Sequence, residues 1–489
     1  MKQQRMRFQL LAFILIGLFA LLAAYGLYSI NTFGNRWFAY NRNPRIREQK
    51  RNVLAGNILD RNGVLLASTT PEGQRVYQAD EAARRAVVHL LGDPQGHVAN
   101  GVETFQTGYL YGFHASLPEL LSVRFGQNGG VRVGDDVTLT VDSQLCTAIY
   151  NAFGSNPMTR GHNAAAVVIN YRTGEVLAEV CLPGFDPMGP LVYEQGSSYY
   201  WNRVTQGLYP PGSTFKVITT VAALENLPGV TEMNFDCIGG LEVASAGGTE
   251  VIHDFGRASH GSLTLKKAFL KSCNITYAKL ALTLPAGALA KTAASFGFGE
   301  NFLFRDIVLE NSAFATADGS KFSIALSGFG QSQLVASPLH MCLVACGIAN
   351  DGLIMEPTLL RRVTSGVTGA DRDEFLPREY RRCTTPETAA ILRDYMRAVC
   401  VSGTGTRAAV DGMTICGKTG SAEAGKNGLT HGWFIGFCAD EAYPFAVCVL
   451  VENIPSGEGG GSTAAPIAGD IFRYLRDNRE RVIGGGAVE

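Results

Sequence analysis

At 489 residues, with 46% apolar and 17% charged residues, the chain is long enough for two or three domains with a substantial core, which excludes a disordered polypeptide. A formal net charge of −1 and the lack of any long basic tract give no reason to expect nucleic acid or another polyanion as partner.

The first element is "FQLLAFILIGLFALLAAYGLYSI", Phe8 to Ile30, whose 23 residues carry no charge and suffice to cross a bilayer as a helix. A signal-peptide core would be shorter and followed by a small-residue cleavage site, so the stretch reads as a retained anchor. Lys2, Arg5 and Arg7 precede it; Arg36, Arg42, Arg45, Arg47 and Lys50 follow it. Counted literally, the positive-inside rule keeps the bulk of the chain cytoplasmic, but long domains translocate largely regardless of flanking charge.

A polar, arginine-rich connector, Asn35 to Arg51, comes next. "LAGNILDRNGVLLAS", Leu54 to Ser68, then alternates apolar residues on both sides of Asp60-Arg61-Asn62-Gly63 and predicts a hairpin. A mixed region to about Asn156 holds a predicted helix at Glu81–Leu91 and a predicted strand at Asp135–Val141. "NAAAVVINYRTGEVLAEVC", Asn163 to Cys181, predicts a second hairpin around Tyr171-Arg172-Thr173-Gly174. The middle, roughly Thr214 to Arg397, reads as mainly helical. Strands return in "GMTICGKTG", "GWFIGFCAD" and "PFAVCVLVEN", followed by a closing helix in "APIAGDIFRYLRDN". Strands at both ends of a helical middle predict an α+β domain whose terminal strands share one antiparallel sheet.

The eleven cysteines are odd in number and lack both a disulfide spacing and C-x-x-C metal pairs. Most lie in apolar settings such as "AVCVLV", where a free thiol acts as a small hydrophobe. Either the domain is cytosolic, or it works outside a cell in a reducing or anoxic habitat.

Three patterns could carry chemistry. In "YPPGSTFKVIT", Ser213 follows a Pro-Pro-Gly turn and has Lys216 three residues on. Serine there is a favoured helix N-cap, yet three residues of helix also bring the amine to the same face, where a partly buried lysine can act as base. "KSCNITY" offers the Ser272 hydroxyl as a proton relay and the Asn274 amide as a holder of a substrate carbonyl; a helix cap is the alternative. Gly412 to Thr419 formally fits G-x-x-x-x-G-K-[ST], but its interior reads as strand and glycines stand where the phosphate-binding helix should begin. Read as strand, Lys418 and Thr419 alternate toward a substrate carboxylate, and Gly420 lets a substrate backbone approach closely.

Together, S-x-x-K, S-x-N and K-T-G stand 59 and then 146 residues apart (213 to 272, 272 to 418). This order is the signature of penicillin-binding proteins and serine β-lactamases. With "PPGSTFK", "HGSLTLKKAFLKSCN", "GKTGSAE", "GWFIGF" and "AAPIAGDIF", the chain resembles class B penicillin-binding proteins. "AGNILDRNGVLLA" is similar to that family's R-G-x-I-x-D-R-N-G segment, with Ala55 where arginine is usual.

The resemblance implies an anchor and cytoplasmic tip over 1–35, a β-rich pedestal or dimerisation-type domain over 36–156, and a transpeptidase domain over 157–489 with a five-stranded antiparallel sheet flanked by helices. It implies a D,D-transpeptidase outside the membrane, single-pass with a cytoplasmic N-terminus, that cross-links peptidoglycan stem peptides and is acylated by β-lactams. Ser213 is then the nucleophile, Lys216 its base, and Ser272 and Lys418 the relay to the leaving amine. Asn274 would hold the acyl-chain amide, and Thr419 and Ser421 the terminal carboxylate. The N–H groups of Ser213 and Ser421 would form the oxyanion hole. No cofactor or metal is expected, and the partner implied is a membrane-embedded glycan polymerase of the SEDS type. The cysteines must then be free thiols, as an anaerobic host would explain.

A β-lactamase and a non-catalytic β-lactam sensor or scaffold are the rivals. None of the six glutamates between Asn274 and Lys418 has an asparagine four residues on, as a class A lactamase requires. The "GWFIGF" segment is shared with class D enzymes, but an anchor plus about a hundred further N-terminal residues is unusual in a lactamase. The intact Ser213, Lys216, Ser272, Asn274 and Lys418 argue against a degenerate scaffold.

Overall fold

The computed structural model describes residues 2–38, 50, 53–115, 119, 131–190, 198–315, 319–424 and 428–484. The connector expected at Asn35 to Arg51 lies mostly outside them. Helix α1, Lys2–Phe38, contains Arg5–Ser29, a 25-residue stretch long and apolar enough to cross a membrane. Its large side chains, among them Leu11, Phe13 and Leu21, are exposed, as suits a helix whose solvent is lipid.

Strands β1 (Ile58–Leu59) and β2 (Leu65–Thr69) form the expected hairpin, with Ile58 opposite Ala67. Asp60 shapes its turn by accepting the N–H groups of Asn62 and Val64 at 2.8 and 2.9 Å. Then follow β3 (Arg75–Tyr77), α2 (Glu81–Leu91, capped by Asp80), β4 (Asp136–Leu139) and α3 (Ser143–Ser155, capped by Asp142). The second expected hairpin is β5 (Ala164–Asn170) with β6 (Val176–Leu182).

A 3₁₀ turn, Gly212–Phe215, leads into α4 (Lys216–Asn226). The segment expected to be mainly helical is broken by two strand-rich stretches. The first holds β7 (Asn234–Cys237), β8 (Gly240–Ser245), β9 (Gly248–His253) and β10 (Gly261–Thr264), paired as two separate ribbons. Most residues of β9 are exposed, so no apolar alternation marks it in the sequence. Helices α5 (Leu265–Lys271), α6 (Asn274–Thr283) and α7 (Pro338–Ala349) follow.

The second stretch contains β11 (Leu360–Thr364) and β12 (Asp371–Glu374). Both join the N-terminal sheet, whose order is β12-β11-β4-β1-β2-β3. That sheet therefore crosses the boundary expected at residue 156.

After α8 (Pro386–Ser402) come β13 (Ile415–Glu423), β14 (Thr430–Cys438), β15 (Phe445–Ile454) and α9 (Ala464–Asp477). The terminal strands do share one antiparallel sheet, of five strands in the order β13-β14-β15-β5-β6. Neighbouring residues of a strand point to opposite faces, and every residue of β5 and β14 is buried, so helices cover both faces. Helix α7 is buried nearly all round, as its uniformly apolar sequence demands, and packs on β5, β14 and β15. All eleven cysteines are free and buried.

Candidate active site

Ser213 stands in the 3₁₀ turn before α4 and is half-buried. Its hydroxyl caps nothing: the first turn is closed instead by Thr214, whose Oγ1 donates to Pro211 O at 2.7 Å. The turn is fixed from three sides. Tyr209 exchanges backbone hydrogen bonds with Ala336, Trp433 Nε1 donates to Pro210 O at 3.0 Å, and Gly212 N donates to Gly330 O at 3.1 Å. Gly212 takes φ 53, and a Cβ there would lie 2.7 Å from Ser421 O. The N–H of Ser213 lies ahead of the first intrahelical bond and so has no helical acceptor.

Three residues on, Lys216 is fully buried. Its Nζ donates to Ser272 O at 2.5 Å and to Asn274 Oδ1 at 2.8 Å, and lies 3.2 Å from Ser272 Oγ. Behind it is the Tyr277 ring, whose hydroxyl is tied to Thr220 Oγ1 at 2.6 Å. Desolvation pushes the Lys216 ammonium down to about 7, against the pull of Asp254 and Cys273. A neutral amine has two N–H groups, and both find carbonyl acceptors here. Its lone pair is left for a hydroxyl proton. The Lys216 amine and the Ser213 hydroxyl are not hydrogen-bonded in this structure, although S-x-x-K spacing led us to expect reach between them; catalytic contacts often tighten only with substrate bound.

Ser272 closes α5 in the left-handed region, at φ 58 and ψ 35. The cap of α6 is not this serine but Cys273, whose Sγ accepts the Thr276 N–H. The Ser272 hydroxyl is thereby free of a capping duty and receives Lys418 Nζ at 2.9 Å. Lys418, also fully buried, has its pKa driven well below the ordinary lysine value by desolvation and then by the nearby Lys216 charge. Asn274 gives Oδ1 to Lys216 and one amide N–H to His253 O at 3.2 Å, leaving a second N–H for the pocket.

Lys418, Thr419, Gly420 and Ser421 follow one another on β13, in register with Ile435 to Gly432 of β14. This is strand, as expected, and not a phosphate loop. Gly420 lines the cavity, and it also admits a segment of the chain itself. A Cβ there would meet Thr214 Cγ2, Pro211 O and Thr214 N at 3.0, 3.1 and 3.2 Å, so the Ser213 turn approaches this position closely. Ser213, Ser272, Asn274, Thr419 and Ser421 all line one cavity of about 480 Å³. It adjoins a second of about 780 Å³ that runs between the β8–β9 ribbon and the end of β13, room enough for an extended peptide.

Sequence reading missed two contributors. Thr404, in the turn after α8, shares a 2.5 Å hydrogen bond with Thr419 Oγ1 and lines the same cavity. Asp254 accepts the Asn274 N–H and the Cys273 thiol, clamping the turn that carries Ser272. Neither lies in a motif; only the fold brings them in.

A family model described as the penicillin binding protein transpeptidase domain matches residues 164–473. The chain is 29% identical over 453 residues to the peptidoglycan D,D-transpeptidase PbpA of Mycolicibacterium smegmatis, covering 87% of this chain and 90% of that one. It is 31% identical over 357 residues to PbpA of Mycobacterium tuberculosis, covering 68% and 71%. The solved structure of penicillin-binding protein A from M. tuberculosis, as a ceftriaxone acyl-enzyme complex, superposes with a TM-score of 0.77 at 27% identity, over 87% of this chain and 98% of that one. A D,D-transpeptidase domain of a peptidoglycan glycosyltransferase from Eggerthella lenta gives 0.73 at 27% identity, over 87% and 99%.

Proposed function

The chain belongs to the penicillin-binding-protein transpeptidase family, and from that premise we propose that it is a peptidoglycan D,D-transpeptidase acting through a Ser213 acyl-enzyme. The observation that carries the reading is the convergence of two buried lysines on Ser272 Oγ, in a cavity that Ser213 also lines. Neutral Lys216 takes the Ser213 proton as Oγ attacks the carbonyl of the penultimate D-Ala of a stem peptide. The N–H groups of Ser213 and Ser421 receive the developing oxyanion; losing one such donor costs roughly a hundredfold or more in rate. The C–N bond breaks, and Lys216, Ser272 and Lys418 pass a proton to the departing D-Ala amine. An amine from a second stem peptide then attacks the acyl-enzyme and restores Ser213, so one difficult exchange becomes two easier steps. Thr419 and Ser421 hold the terminal carboxylate, and Asn274 the acyl-chain amide.

β-Lactams enter by the same attack and leave Ser213 acylated. We read 1–35 as cytoplasmic tip and anchor, 36–156 as a pedestal whose sheet is completed by the strands Leu360–Thr364 and Asp371–Glu374, and the rest of 157–489 as catalytic domain, with the N-terminus cytoplasmic and the substrate outside. The anchor and the "AGNILDRNG" segment are the surfaces for a SEDS-type glycan polymerase. The test incubates detergent-solubilised chain and its Ser213→Ala variant with labelled penicillin and follows adduct lifetime. A long-lived adduct on the wild type alone is expected; none on the wild type sinks the reading, and rapid turnover favours a lactamase.

A further inference from the structure

The two cavities of the site meet at Asn274, Phe329, Gln331 and Ser421, each of which lines both. On the acyl-transfer reading, Asn274 holds the amide that joins the penultimate D-Ala to the residue before it, the third of the stem peptide. That residue therefore sits at the junction, and its side chain has the larger cavity, of about 780 Å³, to enter.

The lining of the larger cavity has an apolar part and an acidic one. Val251 of β9 and Phe255 just beyond it supply apolar surface, and so do Phe322 and Leu326, which stand one turn apart on the helix Lys321–Ser327. Val251 and Phe255 are 46% and 62% exposed, so methylene groups of a bound side chain would gain by covering them. The acidic part is Glu423, the last residue of β13. Side chains alternate along a strand, so Thr419, Ser421 and Glu423 share one face, and two residues of strand carry Glu423 about 7 Å beyond Ser421. The face that lines the smaller cavity at Thr419 and Ser421 thus continues into the larger one. No lysine or arginine is among the described residues that line the larger cavity. Its other carboxylate, Asp254, is already engaged by the Asn274 N–H and the Cys273 thiol, whereas Glu423 is exposed.

We propose that Glu423 selects the third residue of the stem peptide, pairing its carboxylate with a side-chain ammonium carried on an unbranched run of methylenes, as in lysine or another diamino acid. The apolar surface takes the chain and Glu423 its head. A neutral side chain leaves the carboxylate without a partner, and a side chain ending in a carboxylate is repelled by it. The selection rests on the acyl-transfer reading, which is what places a stem peptide here. An exposed ion pair contributes up to about 1 kcal/mol, which is about fivefold, and less as salt rises. Glu423 is then a specificity-determining residue: it sets which peptide is held and takes no part in the chemistry at Ser213.

The test uses the full chain in detergent and measures how two tripeptides slow its acylation by labelled penicillin: Nα-acetyl-L-Lys-D-Ala-D-Ala, and the same peptide acetylated on Nε as well. The free amine is expected to halve the rate at about one-fifth of the concentration that the doubly acetylated peptide needs, a preference that shrinks at high salt. Glu423→Gln should bring the two peptides level, and Glu423→Lys should put the doubly acetylated one ahead. A third peptide, Nα-acetyl-L-Ala-D-Ala-D-Ala, lacks the methylenes and should compete less well than either. Equal competition by the two lysine peptides on the wild type, or a preference that both variants keep, overturns the role of Glu423. An alanine peptide as effective as the lysine ones overturns the role of the apolar surface. A penicillin adduct whose formation no peptide slows overturns the subsite alone. A wild type that forms no penicillin adduct overturns the transpeptidase reading, and the subsite with it.

Discussion

Lys216 and Lys418 converge on one oxygen: their amines lie 3.2 and 2.9 Å from Ser272 Oγ. Two ammonium groups sharing one buried neutral acceptor repel each other, so at least one is neutral at working pH. Burial lowers the pKa of both amines, and for Lys418 the Lys216 charge adds to it.

The base must be neutral to accept the Ser213 proton, and burial has brought Lys216 down to about 7. The acylation rate should fall about tenfold per pH unit below that value and level off above it. Stopped-flow acylation by a chromogenic β-lactam measures it. A rate unchanged between about pH 5 and 8 would remove Lys216 as base.

Stability carries the opposite mark of the same burial. Between about 7 and the ordinary 10.5, the unfolded chain holds a proton on Lys216 that the folded chain does not, so stability rises with pH across this window. Lys216→Met should abolish acylation, raise Tm at neutral pH and flatten the rise. Each unit of depression corresponds to about 1.4 kcal/mol of relief. Thermal melts across pH check it, and a lower Tm at pH 7 refutes it.

Gly420→Ala forces a methyl group against Pro211 O and Thr214, which flank the nucleophile. Since a displacement of about 1 Å can cost a hundredfold, acylation should slow by one to two orders of magnitude, roughly, while Tm changes little. Wild-type kinetics with an unchanged melt would show that the turn tolerates the contact.

Thr404→Val keeps the shape of the side chain but removes the hydroxyl bonded to Thr419 Oγ1. Thr419 then has no partner to orient it toward the substrate carboxylate. Acylation by carboxylate-bearing β-lactams should weaken by about tenfold, the equivalent of one hydrogen bond of about 1.4 kcal/mol. The effect should vanish for a probe lacking the carboxylate.

The eleven free thiols are all buried, and burial raises Cys342 and Cys448 far above the ordinary range. A thiol reagent added to native protein should therefore react with almost none of them, and with all after unfolding. Rapid native labelling of several would contradict the structure.

Much of the site was legible because its residues sit in short motifs whose order along the chain is itself informative. Ser213, Ser272, Asn274 and Thr419 do line one cavity, reached by Lys216 and Lys418. The hairpins at Ile58–Thr69 and Ala164–Leu182 were legible because alternation and turn residues coincide there. Other parts depend on tertiary approach alone. Asp254 matters because an exposed ribbon folds back on α6, and nothing local to "IHDFG" says so. The close packing of the Ser213 turn on Gly420 is of the same kind, since nothing in "GKTGSAE" says which segment of the chain will lie against it. The strands Leu360–Thr364 and Asp371–Glu374 are short and charged, and they read as strand only once β4 supplies an edge for the first and the first an edge for the second.

That last pairing has a consequence for how the chain matures. Strand β4 lies between β1 and β11, and β5 lies between β6 and β15, so each sheet waits for a segment made much later. Until ribosomes have released residues 360–374, one side of β4 is an open row of backbone donors and acceptors; until 445–454 emerge, so is one side of β5. Such long-range closure is slow. The growing polypeptide must be shielded over that interval, and a fragment ending at residue 156 should aggregate when expressed alone, because it lacks the two strands that finish its own sheet.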